Sequence, residues 1–231
     1  MIKKIIVTGG KGRFAKELQK IKSRYKFIFL NKKDLNILSI KSIKKNFKKF
    51  KPECVLHLAG LSRPMPIHDK KINKSIDLNI IGTANVVKAC YEHKIKIIFF
   101  STSYVYPGTR GNYKESDALL PWNNYGWSKL GAESAVQMYK NSLIVRACMT
   151  EKPFIHKHAF NNVRSNFIFH DDFAKIFLKV INLKGVVNIG GKTQTIYQFA
   201  KKYNNRIKKI KSHGELPLKM DMNLQKIKSL N

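Results

Sequence analysis

Residues 2–7, Ile2-Lys3-Lys4-Ile5-Ile6-Val7, form a short apolar run that passes directly into Thr8-Gly9-Gly10-Lys11-Gly12-Arg13-Phe14-Ala15. A helical apolar period through Leu18 and Ile21 follows. This order of strand, glycine turn and helix restricts the fold more than any other feature. Glycine permits positive φ and close approach to the backbone, and the free N–H groups opening the next helix suit a pyrophosphate. The Gly-x-x-Gly-x-x-Ala spacing departs from the usual G-x-G-x-x-G, and a bare glycine loop is also a common structural turn. Its place between strand and helix makes a dinucleotide site the expectation. It also makes the N-terminus a first strand and not a signal peptide.

The chain then alternates. Tyr25 to Leu30 reads as a second strand ending at Asn31-Lys32-Lys33-Asp34. An acid at this strand end would bind the ribose 2′-hydroxyl of NAD. Asn31 is neutral, and Lys32 and Lys33 suit a 2′-phosphate, so NADP(H) is favoured and NAD(H) remains possible. Asp34-Leu35 falls where an adenine-contacting turn belongs. Ser39 to Phe50 is a basic amphipathic helix with a solvated outer face. Cys54 to Gly60 is a third strand whose end, Leu58-Ala59-Gly60, leaves room for a cofactor, with His57 as a packed strand residue. The loop from Leu61 to Lys74 carries Arg63 and borders the substrate, and Ile76 to His93 is one long helix. Lys96 to Phe100 is the next strand. It ends in Ser101-Thr102-Ser103-Tyr104, hydroxyls placed to bond a substrate carbonyl. Leu143 to Arg146, counted as a sixth strand, closes an α/β pattern, a doubly wound parallel sheet.

Between the last two strands lies Asn123-Asn124-Tyr125-Gly126-Trp127-Ser128-Lys129. Tyr125 and Lys129 at i,i+4 share one helix face, and apolar Leu130, Ala132 and Val136 continue the period. A phenol near pKa 10 is a poor acid or base at neutral pH, and an ammonium one turn away favours the phenolate. The same pair also occurs on ordinary solvated helices, so its meaning depends on the glycine loop and the hydroxyl-bearing strand.

Composition narrows the classes. At 231 residues the chain fits one domain with a small appendage, and 43% hydrophobic residues suffice for a packed core. There is no run of about 18 apolar residues of the kind that spans a membrane. Cys54, Cys90 and Cys148 are too widely spaced for a metal pattern or an even disulfide set, which points to a reducing cytoplasm. The formal charge of +31 is ambiguous. Arginine supplies seven of 45 basic residues, lysines are scattered throughout, and no cluster of arginine forks with aromatics marks a nucleic-acid reader. Joint abundance of Lys, Ile and Asn fits the hypothesis of an AT-rich coding sequence. What remains is a general attraction for phosphorylated substrates.

Taken together, these motifs resemble the extended short-chain dehydrogenase/reductases. Thr8 to Ala15 resembles their TGxxGxxG/A loop, Leu58-Ala59-Gly60 their AAG element, and Asn79-Ile80-Ile81-Gly82-Thr83 their helix signature. The closest subgroup is the dTDP-4-dehydrorhamnose reductases, with S-T-D-Y-V-F similar to Ser101 to Tyr106 and Y-G-x-S-K-x-x-x-E matched from Tyr125 to Glu133. Ile168 to Asp172 resembles the later "hVDD" turn, and Val187 to Gly191 the C-terminal strand.

The resemblance implies an NAD(P)H-dependent reductase of a nucleotide-linked 4-keto-6-deoxysugar. Thr102 would orient the carbonyl, Tyr125 donate the proton, and Lys129 acidify Tyr125 and hold the nicotinamide ribose. Gly9, Gly12, Arg13 and Phe14 would surround the pyrophosphate largely through their backbone. Ser103, Tyr104, Asn124, Arg63 and Arg164 are the substrate-side candidates. Residues 1–150 form the dinucleotide-binding portion, and 151–231 a reduced substrate-binding portion interwoven with it. Ser103 stands where the subgroup has an aspartate. Only about 21 residues separate Arg146 from Ile168, where the family carries a longer segment. There, Arg164, Lys157 and His158 either meet a diphosphate or are solvated surface. An epimerase or dehydratase on the same scaffold, a non-catalytic cofactor-binding sensor or synthetase subunit, and a nucleic-acid binder are the alternatives. A homodimer through the helices around Asn79 to His93 and Trp127 to Tyr139 is expected.

Overall fold

A computed structural model describes residues 2–229; Met1, Leu230 and Asn231, at the outer limits of the two expected portions, lie outside it. Six strands form one sheet: β1 (Lys4–Thr8), β2 (Lys26–Leu30), β3 (Cys54–His57), β4 (Lys96–Thr102), β5 (Ser142–Ala147) and β6 (Gly185–Ile189). Their order is β6-β5-β4-β3-β1-β2 and every neighbouring pair is parallel. Parallel neighbours need crossovers, and helices supply them. The α/β, doubly wound parallel sheet expected from the alternation is what the chain forms. The strand counted as sixth, Leu143 to Arg146, is the fifth in chain order, and the sixth is Gly185–Ile189.

Alternation along the strands sorts the core into two layers. Ile5, Val7, Leu56, Ile98, Phe100 and Val187 face α1 (Arg13–Gln19) and a later helix whose Phe173, Phe177 and Val180 are buried. Ile6, Val55, Ile97, Phe99 and Ile144 face the other way, onto α2 (Ile40–Phe50), α3 (Gly82–Glu92) and α4 (Asn124–Gln137). The later helix is α5 (His170–Val180). On α2 the apolar stripe of Ile43 and Phe47 turns inward, and Ser39 caps the helix by accepting from Ser42 N at 3.2 Å.

One expected helix is divided. Ile76–Ile81 is wound as a π-helix before α3 begins. At the junction, a Cβ on Gly82 would lie 2.6 Å from Ile37 Cδ1, so glycine lets this turn close on the β2–α2 connection without moving the Ile37 side chain. Asn79, in the wide turn, is buried and reaches three partners: it accepts from Leu61 N at 2.6 Å and donates to Leu61 O and Ser128 Oγ at 2.9 and 2.8 Å. Its polarity, odd for a core-facing helix, is spent tying the post-β3 loop to α4. Pi turns recur at such functional positions.

Beyond β5 the chain makes short strand pairs, 149–150 with 168–169, 158–160 with 208–210, and 164–165 with 194–195. Around them Phe154, Val163, Phe169, Phe199 and Met220 form a small separate core. Helix α6 (Ile196–Lys201) starts with a capping box between Thr195 and Gln198. Beside this portion, α4 is bolted to the sheet by Glu133 and Arg146, 1% and 3% exposed, at 2.5 Å. Ser101 donates to Glu133 at 2.6 Å, and Arg146 donates to Tyr106 Oη at 2.7 Å; Tyr106 in turn donates to Asn188 Oδ1 on β6. Removing one member of such a pair strands the other as a buried charge. Arg146→Met should therefore lower the unfolding free energy in urea by about 3–5 kcal/mol. A loss below about 1 kcal/mol would show that the pair does not hold helix and sheet together.

Candidate active site

The order of the strands reverses at β1, which lies between β3 and β2, and ligands of such sheets bind outside the carboxyl ends at that point. Gly9 occupies φ +67°, and a Cβ there would fall 2.9 Å from Ala59 Cα, so glycine allows the β1 and β3 ends to touch. Thr8 Oγ1 accepts from Leu58 N and Ala59 N at 3.2 and 3.1 Å, which fixes Leu58-Ala59-Gly60 beside the loop. His57 is bonded to Thr8 and Thr83 at 2.8 and 3.0 Å, and burial pushes its imidazole down to about 3. It is a neutral packed residue, as read from the sequence. At the β2 end, Asp34 accepts from Asn31 N at 3.0 Å and Asn31 accepts from Lys33 N at 2.8 Å, leaving Lys32 and Lys33 exposed. Leu35 is buried below them.

Asn123 caps α4 by accepting from Gly126 N at 2.7 Å. A Cβ on Gly126 would lie 2.5 Å from Tyr104 O, so this glycine lets the helix start press on the turn after β4. Tyr125, at the start of this helix, and Thr102, the last residue of β4, line the same cavity. Thr102 Oγ1 accepts from Tyr104 N at 3.3 Å. Burial raises the Tyr125 pKa, and the groups that pull it back down are Thr102, Arg13 and Arg63. Lys129, one turn on, lies with Nζ 4.1 Å from the Phe99 ring centroid. Burial lowers its ammonium to about 7, against the pull of Glu133 another turn along.

Tyr125 and Thr102 open onto a cavity of about 360 Å³. One end is polar, with Arg13, Arg63, Ser103 and Glu151; the other is aromatic and apolar, with Tyr104, Phe154, Phe160, Phe167 and Leu216. Of the residues singled out from the sequence, the cavity gathers Arg13, Arg63, Thr102, Ser103, Tyr104 and Tyr125. Gly9, Gly12, Leu58, Ala59 and Gly60 are not among its lining residues; Gly9 and Leu58-Ala59 meet at the β1 and β3 ends.

Others are placed elsewhere. The Phe14 side chain is in the core, edge-on to Phe173 at 5.5 Å, so only its backbone belongs to the loop. Asn124 donates to Asp69 Oδ1 at 2.8 Å on the surface. Arg164 pairs with Asp221 at 3.1 Å, is half exposed, and is not among the residues that line the cavity. His158 lines the cavity, whereas Lys157 is an exposed residue whose carbonyl accepts from Lys208 N. The sequence reading missed Glu151, His156, His170 and the aromatic wall. Those residues have no period to reveal them, although Glu151 is one of only 14 acids in a strongly basic chain.

Comparison with known proteins places this geometry. A dTDP-4-dehydrorhamnose reductase of Aggregatibacter actinomycetemcomitans is 26% identical over 152 residues, which cover 64% of this chain and 51% of that protein. The methionine adenosyltransferase 2 subunit beta of Xenopus tropicalis is 32% identical over 102 residues, 44% of this chain and 30% of that one. The chain thus spans about half, or less, of the curated relatives it matches. A dTDP-4-dehydrorhamnose reductase of Bacillus anthracis str. Ames, solved in complex with NADP, superposes with a TM-score of 0.87 at 20% identity, covering 99% of this chain and 92% of that one; it shares the fold. Residues 3–150 match the family described as RmlD substrate binding domain, and the chain belongs to that family.

Proposed function

We propose that the chain is an NADP(H)-dependent reductase of a nucleotide-linked 4-keto-6-deoxysugar. The observation that carries this reading is that Tyr125 and Thr102 line the same cavity, with Lys129 one helical turn from Tyr125. The residues present fit a nicotinamide dinucleotide: Gly9 and Gly12 leave the backbone of the β1 loop uncovered at the reversal of strand order, and Lys32 and Lys33 are exposed at the β2 end. The NADP bound by the Bacillus anthracis reductase favours that form, with NAD(H) the second choice. When bound, the cofactor supplies a hydride.

The chain's own residues do the rest. Thr102 and Tyr125 converge on one point and would hold a carbonyl oxygen there. Because burial raises the Tyr125 pKa, the phenol keeps its proton at neutral pH and is a donor in its resting form. An alkoxide formed from the carbonyl is the stronger base and takes that proton. Lys129, balanced near neutrality, would lend positive charge to the phenolate left behind. Residues 151–231 would shape the sugar end through Phe154, Phe160 and Leu216, while contributing β6 and α5 to the sheet layers. A second reading, a non-catalytic subunit, has one observation in its favour, the similarity to methionine adenosyltransferase 2 subunit beta.

No helix among the described residues is long and apolar enough to cross a membrane, and three free buried cysteines suit a reducing cytoplasm. The helix faces assigned to a homodimer expose Ile76, Ile81, Trp127 and Met138. Light scattering should then give about twice 26.7 kDa, and a monomer at micromolar concentration would remove the dimer.

NADPH oxidation followed with dTDP- and UDP-4-keto-6-deoxyhexoses is the direct test. Tyr125→Phe should lower the rate by about 10²-fold or more while NADPH still binds. Tight NADPH binding without oxidation of any such sugar would favour the subunit reading. Lys129 gives a pH test. Its folded pKa, about 7, lies below the ordinary 10.5, so the folded state binds this proton more weakly than the unfolded chain. The resulting penalty is complete below pH 7 and disappears as pH rises to 10.5. Lys129→Met should raise Tm at pH 6, with the gain shrinking toward pH 10; a constant gain would contradict the buried ammonium.

A further inference from the structure

Two guanidinium groups and one carboxylate meet at the polar rim of the cavity. Glu151 follows the two-residue strand Met149–Thr150. Its Oε1 takes a hydrogen bond from Arg13 at 2.8 Å, and both its oxygens take one from Arg63 at 2.8 Å. Arg13 also donates to Ser62 Oγ at 2.9 Å, so both arginines are tied to the post-β3 loop. Glu151 is 18% exposed and the arginines 45% and 33%. The bridge is also a partition. Arg13, Glu151 and His170 line the reaction cavity on one side and, on the other, a second cavity of about 390 Å³ with Lys16, Lys20 and Lys152 on its wall. Lys20 and Lys152 there are paired with Glu17 and Asp171 at 2.7 and 3.7 Å.

The charges do not balance. Two planar forks, each built for bidentate contact with carboxylate or phosphate, share a single carboxylate and leave one positive charge. Arg13 comes from the glycine-loop side and Arg63 from the loop after β3, so the pair stands between the segment that would hold the cofactor and the one that would border the substrate. A diphosphate brings more charge and more acceptor oxygens than Glu151 does. The carboxylate it would displace already lies against a cavity whose wall carries Lys16 besides the Lys20–Glu17 and Lys152–Asp171 pairs, so a positive charge faces it there too.

We propose that Arg13 and Arg63 form a single diphosphate-binding clamp, and that Glu151 is its internal competitor, seated in the clamp until a diphosphate displaces it. The proposal rests on the reading of this cavity as a nucleotide site, and it adds a residue that sets how tightly the nucleotide is held. While Glu151 is seated, only a fraction of molecules present a free clamp, and the apparent affinity falls by that fraction.

Calorimetric titration of the full chain with inorganic pyrophosphate, NADP⁺ and dTDP, for the unsubstituted protein, Glu151→Gln and Arg63→Gln, tests it. Glu151→Gln keeps the shape and removes the charge, and pyrophosphate should bind about fivefold tighter or better. Arg63→Gln should weaken pyrophosphate about tenfold, the loss of a charge-assisted hydrogen bond. Tightening carried over to NADP⁺ alone assigns the clamp to the cofactor's diphosphate, and to dTDP alone, to that of the nucleotide sugar. Pyrophosphate affinity equal or weaker in Glu151→Gln, or unchanged in Arg63→Gln, overturns the clamp. If neither NADP⁺ nor dTDP binds the unsubstituted chain, the reductase reading fails, while the pyrophosphate titrations still decide the clamp.

Discussion

The pairing of Glu133 with Arg146 is the contact on which the site's geometry depends. Both groups are withdrawn from water, and a buried charge pair is tolerable only when its remaining hydrogen-bond capacity is filled. Here it is filled from three directions: Ser101 on β4, Tyr106 beyond it, and the Glu115 carbonyl, which accepts from Arg146 at 2.9 Å. Because Glu133 lies two turns past Tyr125 and one past Lys129, fixing it on the sheet sets the rotation of α4. The helix cannot turn to another face without stranding the carboxylate. The same carboxylate is the group that resists the discharge of Lys129 by burial.

How much of this was legible follows the reach of each interaction along the chain. The β1–loop–α1 unit, the apolar strands and the Tyr125/Lys129 spacing are encoded within a few residues of one another, and they were read correctly as elements. The π turn was not, since its Asn79 is held by Leu61 and Ser128, 18 and 49 residues away. Glu151 was invisible because its partners are 138 and 88 residues away. The sequence reading gave Lys129 a simple electrostatic effect on Tyr125. In the structure the ammonium sits over the Phe99 ring and is itself depressed by burial, which spacing does not report. The portion after β5 was legible only in outline, since its strands are two or three residues long and its core is assembled from five separate segments.

The trimmed segment has a structural counterpart. With few residues between β5 and α5, the apolar end of the cavity is walled by Phe154, Phe160, Phe167 and Leu216. Gly190 and Gly191 permit this economy: a Cβ on either would lie 2.7 or 2.5 Å from the backbone of Asn166 or Phe167, so the end of β6 lies directly on the short strands. The end of β6 and residues 166–167, both within residues 151–231, are therefore packed backbone to backbone.

The acids of this chain have a meaning that its lysines lack. Lysines are scattered along the chain, whereas several of the 14 acids are held by specific partners. Glu133 and Glu151 answer buried or half-buried arginines, Asp221 holds Arg164 and Asn112 N, Glu115 accepts from Asn188 N, and Asp117 from Lys114 N. A lysine at any of these positions would face the partner with a like charge or leave a donor unanswered, whereas a glutamate in place of an unpaired lysine on the solvated face of α2 would strand nothing.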